Sequence, residues 1–250
     1  MLLACALLLG FPALLCPAEP SSLARGTETL HYGIQWRVFN AGTAKLTMVP
    51  SDKGGKQEWQ SNLRLESSGV IAAFYRVADD YNVHLEDDFC ASTSVFSALE
   101  GKRSRETRVS YDRIKGRATF VEKDRLKNSI LKAGQTDVPQ CVSDVVGGVY
   151  RLRTMKLEPG NSVRIPVSDG RKMAQVRVDV QGREQIETKL GKFKTVRCEP
   201  LVFNGVIFAK KATVQMWLTD DEKHLPVQIQ VRLPLVIGTI TFQLEKEEHT

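Results

Sequence analysis

At 250 residues and 42% hydrophobic side chains, the chain is long enough to bury a core without metal or a dense disulfide framework. Its 35 basic and 29 acidic residues leave a formal charge of +6, and that excess is local. Between Lys102 and Lys132 eleven basic residues stand against four acidic ones, a surplus of seven, so the remainder is near neutral; with few aromatics interleaved there, nucleic acid is set aside as a partner.

Met1 to Ala18 is an apolar run without a charged side chain, followed at once by Glu19-Pro-Ser-Ser. It is too short and too poorly flanked to span a membrane, and Cys16-Pro-Ala18 places small residues where a signal peptidase reads them. The expected organisation is a signal peptide over 1–18, a flexible lead-in over 19–28, a single β domain over 29–246 and a tail over 247–250. Export to the periplasm or another envelope location follows, with no transmembrane segment after cleavage. Leu2-Leu-Ala-Cys5 precedes the apolar run, where a lipobox would follow it, so lipidation is disfavoured.

From Thr29 onward the dominant signal is two-residue alternation, the period of a strand with one buried face. Leu30, Tyr32, Ile34, Trp36 and Val38 define a first strand, Asn40-Ala-Gly42 a turn, and Ala44, Leu46 and Met48 a return; Trp59, Ser61, Leu63 and Leu65 define a third. Gly69-Val-Ile-Ala-Ala-Phe-Tyr-Arg76 breaks the rhythm and predicts a short buried helix, either a plug on the core or a lid over a cavity through Val70, Ile71, Phe74 and Tyr75. Alternation resumes at Tyr81 to Leu85. Thr107 to Tyr111 and Ala118 to Val121 then predict a basic hairpin. Its arginines, Arg103, Arg105, Arg108, Arg113 and Arg117, either solvate an edge or dock an anionic envelope component.

A second helix is predicted from about Asp144, with Ser143 as N-cap, Val145, Val149 and Leu152 at helical spacing, and Arg151 and Arg153 near its C-terminus. Gly147-Gly148 weakens that helix and points to close packing on a sheet. Strands follow through Ile165, Val178 and Val196, with a tight connection at Asn204-Gly205. Thr213 to Thr219 and Pro226 to Leu233 form a hairpin, Pro234 to Gly238 breaks the line, and Thr239 to Leu244 alternates again.

Signal cleavage removes Cys5 and Cys16 and leaves three cysteines. Cys198 falls on the apolar face of a strand and reads as a small buried hydrophobe, whereas Cys90 and Cys141 sit in loop-like contexts and are the expected disulfide. The four histidines are scattered without metal-ligand spacing, so no metal or cofactor is expected. The nucleophile elbow, the zinc-protease helix and the phosphate-cradling loop are absent from the sequence. Asp79-Asp80, Asp87-Asp88 and Asp220-Asp221 are adjacent pairs that a strand would point to opposite faces.

Tyr150-Arg-Leu-Arg153, Glu158-Pro-Gly160, Ile165-Pro-Val167, Gly191-Lys-Phe-Lys-Thr195, Trp217-Leu-Thr-Asp-Asp221, Leu225-Pro-Val227 and Gly238-Thr-Ile-Thr-Phe242, in that order, resemble the exported family called domain of unknown function 3108. The likeness runs from about Leu30 to Leu244 and is strongest after Asp144. The resemblance implies a bacterial, envelope-located, mostly β protein and transfers no site residue. It lends support to the Cys90–Cys141 bridge, which looks like a subgroup feature. Gly147-Gly148 stands where the family often has larger apolar residues.

The expected fold is mainly β: one large curved antiparallel sheet or open barrel, with two short helices on its concave side. The expected function is non-catalytic binding of a lipid-like or amphiphilic ligand. The alternatives are a scaffold module docking through the hairpin over 102–132, and a hydrolase with a non-standard site.

Overall fold

The computed structural model of the protein describes residues 26–86, 88–201, 212–233 and 238–250. The expected signal peptide, most of the lead-in, Asp87, the connection at Asn204-Gly205 and the break after Pro234 lie outside those residues. Among the described residues fourteen strands form one sheet: β1 (Glu28–Trp36), β2 (Phe39–Lys53), β3 (Lys56–Ser67), β4 (Ala78–Glu86), β5 (Ala91–Glu100), β6 (Arg103–Asp112), β7 (Arg117–Asp124), β8 (Ser129–Asp137), β9 (Ser162–Ser168), β10 (Met173–Thr188), β11 (Gly191–Leu201), β12 (Thr213–Thr219), β13 (Pro226–Arg232) and β14 (Thr239–His249). Among the described residues two helices accompany it, α1 (Gly69–Phe74) and α2 (Val145–Arg153).

Every neighbouring pair in the sheet is antiparallel, and the spatial order is two meanders joined at their starts. β1 pairs with β14 through Glu28↔His249 to Trp36↔Ile240, so the first and last strands meet at the centre of the sheet. From that seam β2 to β8 fan out one way and β13 back to β9 the other, leaving β8 and β9 as edges. The chain joins the two edges through α2, which lies on the concave face. The barrel is not closed by strand pairing. Instead Ser143 bridges to β9, its N–H donating to Pro166 O and its carbonyl accepting from Ser168 N, both at 2.9 Å. The β9–β10 turn touches β6, where Tyr111 Oη donates to Ser168 O at 2.9 Å. Gly170, at φ +82°, abuts Val109 so closely that a Cβ would lie 2.5 Å from its Cγ1.

α2 divides the interior into two apolar clusters. On one side Leu30, Tyr32, Met48, Val83 and Leu85 meet Val146 and Tyr150 of the helix. Phe89 is sandwiched there between Trp59 and Tyr150, with ring centroids 5.6 and 5.7 Å away. On the other side Val176, Val178, Val196, Cys198 and Leu218 meet Leu152. Gly147 lets the helix seat: a Cβ on it would lie 2.7 Å from Phe89 O and 2.9 Å from Leu85 Cδ2. Cys198 is fully buried, as its position on the apolar face predicts, and burial pushes its thiol up to about 12.

Several elements differ from expectation. Glu28, placed in a flexible lead-in, is the first residue of β1, and residues 247–249, placed in a tail, complete β14. α1 contains no buried residue, so it is an exposed turn of helix rather than a core plug. β5 and β8 carry no clear alternation; β8, an edge strand, is held by its backbone ladder with β7.

Cys90 and Cys141 form the expected bridge, with Cα atoms 5.1 Å apart and a sequence separation of 51. It ties the β4–β5 turn to the segment that leads into α2. Closing that loop contributes roughly 4 kcal/mol in the chain-entropy account. The Cys90→Ser/Cys141→Ser double variant is expected to lose about 2–4 kcal/mol in urea unfolding. An unchanged unfolding midpoint would show that the bridge carries no stability.

Candidate functional site

α2 is fixed at both ends by buried polar groups. Asp144, rather than Ser143, is the N-cap; its carboxylate accepts from Val146 N at 3.0 Å and Gly147 N at 2.8 Å, and also meets the Tyr81 hydroxyl. Burial raises the Asp144 pKa in spite of those bonds. Ser143 turns away and donates to Phe89 O at 3.1 Å.

At the other end Arg153 is buried, its side chain 1% exposed. Its Nη1 and Nη2 donate to the two carboxylate oxygens of Glu28 at 2.7 and 2.8 Å, and its Nε donates to Lys223 O at 3.1 Å. Tyr150 Oη donates to Glu28 at 2.8 Å. Burial pushes the Glu28 carboxyl up, but the bonds and charge of Arg153, with the Tyr150 hydroxyl, outweigh it and leave the pKa lowered. Glu28 also comes within 4.8 Å of Glu247 and His249, a grouping of possible metal ligands that sequence spacing did not announce. Both Glu28 oxygens are already held by Arg153, and His249 is paired with Glu247 at 2.5 Å, which favours a structural role.

The pair seals one end of the sheet. The opposite end is defined by register: Trp36↔Phe39, Glu66↔Ala78, Glu100↔Arg103, Asp124↔Ser129 and Ser168↔Met173 place the β1–β2 turn, α1, and the β5–β6, β7–β8 and β9–β10 turns around one mouth. Three cavities adjoin there. One of about 190 Å³ lies between α2 and the second half of the sheet, lined by Val149, Leu152, Ile165, Val178 and Met216. A second, of about 380 Å³, is walled by Ile34, Trp36, Leu65 and Phe242 and borders α1. The third, of about 320 Å³, lies against Leu63, Phe96 and Val146. Val145 borders the first and third, Leu65 the second and third.

The first two cavities are walled almost wholly by apolar side chains; the third adds Tyr81, Ser94, Thr107 and Arg171. Arg171 Nη2 donates to Glu122 at 3.1 Å and to Thr107 Oγ1 at 3.3 Å, and Arg105 pairs with the same buried Glu122 at 3.1 Å. The site is therefore oily in its recesses with a polar, cation-bearing wall, an arrangement suited to holding an amphiphile.

Of the predicted lid residues, Ile71 and Tyr75 line the second cavity, whereas Val70 and Phe74 point outward, 71% and 87% exposed. The five arginines do not share a face. Arg105 lies on the concave side with Thr107 and Val109, Arg108 and Arg117 on the convex side, and Arg113 in the β6–β7 turn. Arg108 pairs with Glu106 at 2.6 Å, Arg113 with Glu86, and Arg117 with Asp137 at 3.7 Å. Arg103 opens β6 at the mouth, opposite Glu100. Sequence reasoning missed Glu28, Asp144 and Arg171 as site-forming residues; a lone arginine on an otherwise apolar helix face was the available signal for the first of these.

A family model described as protein of unknown function (DUF3108) matches residues 29–245. The chain belongs to that family. No curated protein sequence matches this DUF3108 member. Among solved structures it is similar to a beta-barrel-like protein of domain of unknown function DUF1849 from Brucella abortus, with a TM-score of 0.58 and 8% identity, over 90% of this chain and 98% of that one. At that identity the likeness establishes the barrel-like fold of the DUF3108 chain and nothing finer.

Asp79 lies buried on β4 near the mouth, accepting from Leu99 N at 3.0 Å. Burial pushes its carboxyl up to about 6, against the Leu99 bond and with a further push from the charge of Glu100. The folded state therefore binds this proton more tightly than the unfolded chain. The contribution to stability is full below about pH 4 and lost as pH rises through about 6. Asp79→Asn is expected to gain stability relative to the parent as pH goes from 4 to 7, read from urea midpoints. The same difference at both pH values would remove Asp79 as the source.

Proposed function

We propose that this protein is a non-catalytic envelope protein that holds an amphiphilic, lipid-like molecule in the cavities around α2, with Ile71 and Tyr75 as the cavity-facing part of a lid. The observation that carries the reading is that three cavities adjoin at one end of the curved sheet and share wall residues, Val145 and Leu65. The larger two, at about 380 and 320 Å³, fall within the range of small-molecule sites, roughly 300–1,000 Å³. Apolar recesses would take the chain of the ligand, and the wall bearing Arg171 and Tyr81 its polar end. Export is part of the proposal: the apolar Met1–Ala18 run supports it, and the mature protein would begin near Glu19.

Protein purified from its own envelope is expected to show a lipid-sized adduct in native mass spectrometry, and the stripped protein to take up a fluorescent fatty acid. Val145→Trp, at the junction of two cavities and already 38% exposed, should weaken that uptake by about tenfold while leaving the fold intact by circular dichroism. Absence of both adduct and uptake would contradict the reading.

A further inference from the structure

The large apolar side chains left exposed on this protein are unevenly distributed between the two ends of the sheet. At the mouth, the β1–β2 turn exposes Val38 (87%) and Phe39 (60%), α1 exposes Val70 and Phe74, and the β7–β8 turn exposes Leu126 (71%). Among the described turns at the sealed end, Ile114 and Leu190 are the exposed large apolar residues. Monomeric soluble proteins seldom gather such residues without a use for them.

The mouth turns also touch one another, so their side chains form one rim. Ser68 N donates to Ala41 O at 3.0 Å, linking α1 to the first hairpin. Gly101 N donates to Arg76 O at 2.7 Å, linking the end of α1 to the β5–β6 turn, and Arg125 N donates to Ser104 O at 2.9 Å, bringing in the β7–β8 turn. Along this rim Arg76, Lys102, Arg103, Arg125 and Lys127 are all exposed. The acidic residues at the mouth are Glu66, Glu100, Asp124 and Asp169; Glu66 pairs with Arg64, Asp124 is turned back to accept from Leu126 N and Lys127 N, and Asp169 accepts from Arg171 N and Lys172 N. The sealed end is mixed, with Asp220, Asp221 and Glu222 against Lys223 in the β12–β13 turn and Arg113 and Lys115 in the β6–β7 turn, whereas in the β5–β6 and β7–β8 turns at the mouth Lys102, Arg103, Arg125 and Lys127 outnumber Glu100 and Asp124.

We infer that the mouth rim is a docking surface for an anionic lipid bilayer, with Val38, Phe39, Val70 and Phe74 entering the headgroup–acyl boundary and the basic residues around them meeting lipid phosphates. Exposed apolar side chains flanked by Lys and Arg along one rim match the demands of an interfacial anchor, which needs buried apolar area together with attraction to anionic lipid. A soluble acidic protein would be met by the charges but leaves the outward aromatics unexplained. The inference goes beyond the binding reading and does not depend on it, because it rests on outward-facing residues that line none of the cavities. It also gives Arg103 and the exposed half of the predicted lid a shared role.

The test is co-sedimentation of the protein with protein-free vesicles of phosphatidylcholine, with and without phosphatidylglycerol. Binding is expected with the anionic vesicles, weakening steeply from 50 to about 500 mM salt. Phe39→Asp/Phe74→Asp and Lys102→Glu/Arg103→Glu/Lys127→Glu should each lower it by about tenfold or more. Ile114→Asp/Leu190→Asp, at the far end, should leave it unchanged. Fatty-acid uptake by the mouth variants is read in parallel, and its retention separates a docking defect from a ligand defect. No binding to anionic vesicles at low salt, or equal loss from variants at both ends, would overturn the inference. So would retention by whole envelope membranes but not by vesicles of their extracted lipids, which would point to a protein partner.

Discussion

The buried bidentate pair between Glu28 and Arg153 is the constraint on which the arrangement turns. β1 lies at the centre of the sheet, where the N- and C-terminal strands meet and Thr27 and Thr250 exchange backbone hydrogen bonds at 2.8 and 3.1 Å. Arg153 is the last residue of the helix that joins the two free edges. The pair thus ties the crossing helix to the seam, by a contact 125 residues long in sequence. A buried ion pair is weak evidence for net stability, because desolvating both charges costs about as much as their attraction returns. Its value is in placement: Arg153 has one partner geometry that satisfies its planar fork, and Tyr150 and Lys223 O complete it.

With the C-terminus of α2 held at one end of the sheet, the two ends become different. The sealed end is filled by the Trp59–Phe89–Tyr150 stack and pinned by the Cys90–Cys141 bridge. The other end receives the exposed α1, and α2 borders its cavities through Val145 and Val149, too little to fill the space between the strands. Gly147 and Gly148 matter for the same reason, since they let the helix press against Phe89, Leu85 and Val167 and leave the unfilled volume toward the mouth. Cavities and exposed rim are in this sense one consequence of how a nine-residue helix is seated in a fourteen-strand sheet.

Much of this was legible in the alternation. Leu30-Tyr32-Ile34, Ala44-Leu46-Met48 and Val214-Met216-Leu218 are buried as their period demands, and the same period marked the strands through Ile165, Val178 and Val196. What alternation does not encode is pairing over long range. Glu28 looks like the polar end of a leader until Arg153 is brought beside it, and residues 247–249 look like a tail until β1 supplies their ladder. β8 is exposed over most of its length, so no apolar period marks it. The apolar run Val70 to Tyr75 misleads in the opposite direction: hydrophobicity suggested burial, and the structure turns half of it to solvent.

A double-mutant cycle on Glu28→Gln and Arg153→Met, read by urea unfolding at neutral pH, tests most directly whether this pair holds the helix. The account predicts that Arg153→Met alone costs about 3–5 kcal/mol, by stranding the Glu28 carboxylate, and that the double variant recovers about 2 kcal/mol or more of that loss. Strictly additive single effects would show that the two residues do not act as a unit and that α2 is seated by packing alone.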